Sequence, residues 1–134
     1  MGFFGREVAE SGGISRNFYE NRAIAVLSEL SDWNFAYVDI DAARFYSEVY
    51  AEARRRDASA KADLSTTPSE KSLWRAESQR WNEALSRASD SDFTHLSSRL
   101  DDESISFFKK AHEAPEMADY GAVLQNLSDM LATQ

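Results

Sequence analysis

An all-α fold, a single-domain bundle of five or six helices over residues 1–134, is what this sequence predicts, with residues 1–13 able to form a loose N-terminal arm. Three observations predict it. Apolar residues recur at steps of three and four along most of the chain, the spacing of one helix face. The breaks between these stretches hold capping residues, most clearly at Thr67-Pro68-Ser69-Glu70. Only Trp33–Ile40 is rich enough in aromatic and β-branched residues to read as a strand. No second strand of like quality is present to satisfy its backbone.

Each element has its own justification. In residues 1–13, Phe3 and Phe4 lie between glycines, and Gly12-Gly13 can stop a short turn over Arg6–Glu10. Ser15 opens a helix to about Leu30, with Tyr19, Ala23, Val26, Leu27 and Leu30 on one face. Ser31 and Asp32 break it and can cap a long spine reaching Lys61. The expected core stripe of that spine is Phe35, Val38, Ala42, Phe45, Val49 and Ala53, flanked by Trp33, Tyr37, Tyr46 and Tyr50. A break near Asp39–Asp41 with a new cap is the intermediate outcome. Arg54-Arg55-Arg56 suits a helix end, where positive charge opposes the dipole.

Asp57–Thr67 reads as helix end plus connection. Thr67 then caps a helix to about Ala88, with Pro68 at its first position and Glu70 able to reach back. Trp74, Trp81 and Leu85 share a face that Glu77 and Ser78 interrupt. Ser89-Asp90-Ser91-Asp92 is a turn. Phe93, Leu96 and Leu100 form a short apolar face, and Asp101-Asp102-Glu103 stands where a further helix would begin, before Ile105, Phe108, Ala111 and His112. After Ala114-Pro115-Glu116, Met117, Tyr120, Leu124, Leu127 and Leu131 make the most regular stripe in the chain. Gly121 interrupts it at a cost of about 1 kcal/mol relative to alanine, which close approach of another helix would justify.

Composition narrows the class. The chain is 43% hydrophobic and 12% aromatic, too rich for disorder. It has no cysteine, which excludes disulfides and thiolate metal sites and fits a reducing, cytoplasmic setting. No run approaches a membrane span or a signal-peptide core. Arg6 stands where a myristoylation motif after Gly2 wants Ser or Thr. Net charge is −8, and residues 90–134 hold nine acids against three bases, so −6 of it lies in the last third. That balance gives no footprint for nucleic acid and favours a basic partner surface.

No catalytic, cofactor or metal constellation is expected. His95 and His112 lie on different helices without an HxxxH pattern. The pairs Asp39/Asp41 and Asp90/Asp92 sit at helix starts, where capping accounts for them. Gly12-Gly13 lacks the Lys and Ser/Thr of a phosphate loop.

The expected function is binding without catalysis, by a small acidic helical module covering a basic surface of a larger, nucleic-acid-handling protein. Immunity-type proteins and phage-encoded antagonists of host defence are of this type, and 11 Arg to 4 Lys fits a GC-rich bacterial or phage source. The candidate partner-binding residues are Asp101, Asp102 and Glu103, with Trp33, Tyr37 and Tyr50 as an aromatic patch. The alternative is a structural or assembly adaptor that homo-oligomerises through aromatic and heptad stripes. A ligand-binding bundle would instead need polar side chains converging between the helices.

Overall fold

Five α-helices and one 3-10 turn follow one another in the computed structural model, which describes residues 17–133. They are α1 (Phe18–Leu30), the turn Phe35–Tyr37, α2 (Ile40–Leu64), α3 (Pro68–Ser89), α4 (Thr94–Lys110) and α5 (Met117–Ala132). Successive helices pack side by side, and α5 returns against α1 and α2 to close one bundle. No strand occurs among the described residues. The expected arm over residues 1–13 lies outside them.

The spine is divided, as the break near Asp39–Asp41 anticipates. Asn34 caps the 3-10 turn by accepting from the Ala36 amide, and Asp39 caps α2 by accepting from the Ala42 amide at 2.8 Å. Ser31 starts nothing; its hydroxyl donates back to the Ser28 carbonyl at the end of α1. At its other end α2 runs through Asp57–Leu64, within the stretch expected as helix end plus connection, because Ala58 and Ala62 are buried in the bundle.

The face that α2 buries also differs from the expected stripe. The inward row is Ala43, Ser47, Tyr50, Arg54, Asp57 and Lys61, again at steps of four and three. Its first three members and Asp57 are buried, and Arg54 and Lys61 are half-buried. Phe45, in the middle of the expected stripe, is 60% exposed. Small residues win the close crossings because they let neighbouring backbones approach, so hydrophobicity alone placed the stripe on the wrong side.

The three acids Asp101-Asp102-Glu103 do not open a helix. They lie in the middle of α4, because Leu96, Leu100, Ser104 and Phe107 form one unbroken buried face from end to end. Across from it α5 buries Gly121, Val123, Leu124, Leu127, Ser128 and Leu131. The two helices are joined by neutral hydroxyls. Ser97 Oγ donates to the Ser128 carbonyl at 2.9 Å, Ser128 Oγ donates to the Ser97 carbonyl at 2.8 Å, and Ser104 Oγ donates to the Gly121 carbonyl at 2.8 Å. At Gly121 the neighbour is a side chain and not a backbone: the ring of Phe108 lies 3.1 Å from where a Cβ would stand.

Candidate functional site

Two places in the bundle carry groups that could meet a partner: the outer face of α4 and a charged cleft on the inward row of α2.

On α4 the predicted acidic trio separates. Asp102 is exposed and only loosely paired, its carboxylate 3.9 Å from Arg99. Asp101 is half-buried and makes no ion pair among the described residues. Glu103 lies two positions further round the helix, on the side that faces α2, and is not a surface acid. It accepts a hydrogen bond from the Tyr50 hydroxyl at 2.6 Å and sits 3.0 Å from Arg54 Nε. Along the helix from Asp101 and Asp102, one and two turns on, Ile105 and Phe108 are 48% and 43% exposed. The sequence places these two at helical spacing after the acids, with no side assigned. They form a second apolar row beside Leu100 and Phe107, and a helix covered along one side cannot bury both rows. That surplus row was the signal of an exposed patch.

The predicted aromatic patch also separates. Tyr37 is 87% exposed, in the 3-10 turn. Trp33 is half-buried and packs edge-on against Tyr46 at 5.1 Å. Tyr50 is wholly buried, edge-on to the equally buried Trp81, and is withdrawn as a surface residue. It faces inward because α2 is turned relative to the expected stripe.

Behind Tyr50 runs a chain of charged groups. Arg54 reaches Glu103 on one side and the Asp57 carboxylate, 3.5 Å away, on the other. The Arg54–Glu103 contact lacks the angle of a hydrogen bond and acts through charge. Asp57, 2% exposed, also accepts from Lys61 Nζ at 3.1 Å, and Lys61 donates to Glu20 of α1 at 2.8 Å. Each charge has an opposite neighbour, as buried charge requires. The titration shifts agree. Burial, and then Glu103, hold the Tyr50 hydroxyl well above its ordinary value. Burial works against the charge on Arg54, but Tyr50, Glu103 and Asp57 more than restore it. The Lys61 ammonium holds Glu20 low.

This row borders a cleft of about 300 Å³ to which every helix contributes, with Trp74 of α3, Phe107 and Lys110 of α4 and Met117 of α5 in its walls. A second hollow of about 200 Å³ lies on the other side of the Lys61–Trp74 pair, under Leu64. The row was legible in principle. Tyr50, Arg54, Asp57 and Lys61 stand at steps of four, three and four, a helix face made of polar groups, but a search for apolar stripes passes over it.

Glu77 and Ser78, the gap in the α3 stripe, are occupied. Glu77 accepts from Trp81 Nε1 at 3.1 Å and from Arg99, whose guanidinium lies 4.6 Å above the Trp81 ring. Ser78 Oγ donates to the Arg55 carbonyl at 3.3 Å. Arg55 and Arg56 are both tied to Glu52. His95 and His112 are exposed, and among the described residues no three His, Asp or Glu side chains converge as metal ligands. No helix of the described residues is long and apolar enough to cross a membrane. No protein-family model, curated protein or solved structure matches the chain.

Proposed function

We propose that the protein binds, without catalysis, a basic surface of a larger protein through the outer face of α4. The observation that supports this is the pairing of the exposed Asp102 and the half-buried Asp101 with the exposed apolar side chains of Ile105 and Phe108. Carboxylates steer and register a basic partner, and a partly exposed aromatic and a branched aliphatic side chain supply area to bury. The −6 balance of residues 90–134 extends the favourable field around this face. An inhibitor of a nucleic-acid-handling protein, of the immunity or phage anti-defence type, would use a surface of this kind. The experiment is capture of partners on tagged protein, washed at about 0.1 M and about 1 M salt, conditions that differ about threefold in screening length. A partner held at low salt and released at high salt supports the reading. Capture unchanged by salt contradicts its electrostatic half.

A second reading, homo-oligomeric assembly, is favoured by the exposure of Tyr37 and Phe45 near the start of α2. It requires a dimer or larger species that survives high salt. A strict monomer at high micromolar concentration in sedimentation would exclude it.

A further inference from the structure

We propose that the cleft between Lys61, Lys110 and Trp74 is a binding site for a small organic anion with a flat aromatic body, an aryl carboxylate, independent of the α4 outer face. Its volume of about 300 Å³ is at the lower end of the range of small-molecule sites. The sign of the ligand follows from which charges are already engaged. Both acids in the wall are committed, Glu103 to Tyr50 and Arg54, and Glu20 to Lys61. Lys110 makes no ion pair among the described residues; it attracts Glu20 only at longer range, and its ammonium stands 5.2 Å over the Phe107 ring. Two lysines end α4 and either would offset the helix dipole, yet only Lys110 lines the cleft.

Lys61 adds to this. An ammonium has three donors, and two are used by Glu20 and Asp57, leaving a third; the Trp74 ring centroid is 4.9 Å away. A carboxylate between Lys61 and Lys110 would complete both ammonium groups. The half-buried Trp74 and the Phe107 ring then offer flat apolar walls to the remainder of the ligand. A cationic ligand would have to displace Lys61 or Arg54 from the acids they hold.

The test is titration of the full chain with indole-3-acetate, followed by NMR at the Trp74 indole N–H and the Lys110 amide, alongside tryptamine and inorganic phosphate. Indole-3-acetate should saturate with a Kd of about 1 mM or tighter, the range expected for a ligand of this size. Lys110→Gln should weaken it about tenfold, the effect of losing one charged contact, while Lys109→Gln leaves it unchanged. Both lysines are exposed, so both variants should fold. No saturable shift below about 10 mM would overturn the site. Equal binding of tryptamine would overturn its sign, equal binding of phosphate its aromatic half, and an equal loss in Lys109→Gln the role given to Lys110.

Discussion

The seam between α4 and α5 and the seam along the inward row of α2 are built from opposite materials. The first is neutral: Ser97, Ser104, Gly121 and Ser128 bring two backbones close, and each hydroxyl donates to a carbonyl of the other helix. The second is charged, a relay from Glu103 through Arg54, Asp57 and Lys61 to Glu20. A neutral seam of small groups lets the two backbones approach closely and responds little to pH or salt, with a hollow of about 230 Å³ at its end, beside Ser97 and Leu131. A charged seam must hold long side chains apart by their ion-pair geometry, and here a cleft opens beside it. The two seams differ in what holds them, neutral hydroxyls in one and paired charges in the other, and only the charged one borders the cleft with Lys61 and Lys110 in its wall.

The largest expected effect is at Trp81, against which Tyr50 of the inward row of α2 packs. Trp81→Ala should destabilise the fold by about 3–5 kcal/mol in urea unfolding, because the ring is wholly buried and both Tyr50 and Arg99 pack on it. Next is Glu103→Ala. It removes the acceptor of Tyr50 and a counter-charge of Arg54, and should lower stability by about 2 kcal/mol, the scale of a hydrogen bond to a charged group. A loss under about 0.5 kcal/mol would show that the charged seam is decorative.

On the neutral side, Ser97→Ala and Ser128→Ala should each cost about 1 kcal/mol, and the double variant less than the sum, since the two hydroxyls share one site. Additivity in that double-mutant cycle would contradict the reciprocal arrangement. The two seams should also part company in acid. Glu52 is held down to about 2 by Arg55 and Arg56, and Glu20 is held low by Lys61. A carboxylate with a depressed folded value adds stability that is complete above its unfolded value, 4.5 for both, and is lost as pH falls through the folded one. Unfolding free energy should therefore decline from about pH 5 towards pH 2, and Glu20→Gln should remove part of that decline. A profile identical to that of the parent chain would sink the Lys61–Glu20 contribution. The smallest effect is at Gly121→Ala. Phe108 is half exposed and can yield a few tenths of an ångström, so the gain in helix propensity, at most about 1 kcal/mol, should leave the variant neutral or slightly more stable.

These contrasts also explain what could be read from the residues alone. The α5 stripe was legible because Leu124, Leu127 and Leu131 carry the core signal themselves, and the start of α3 because Thr67 and Pro68 have strong local roles. The spine was legible as helix, but not in its rotation. Its inward row is made of Ala, Ser, Tyr and charged groups, while Phe45 points to solvent. Helix phase follows the packing of small residues against neighbours that periodicity does not identify. For the same reason Tyr50 and Glu103 were expected outside and are found against each other. Of the other candidates, Asp102 and Tyr37 are exposed and Asp101 is half-buried.

The outer face of α4 is tested most directly by one pair of charge reversals. Asp101→Lys/Asp102→Lys on α4 and Asp119→Lys/Asp129→Lys on α5 change net charge equally, and none of these four carboxylates is buried. Partner capture at about 0.1 M salt should be lost in the first variant and kept in the second, because unscreened contact charges act locally. Equal loss in both would reduce the effect to net charge, and capture retained by the α4 variant would contradict the assignment of its outer face.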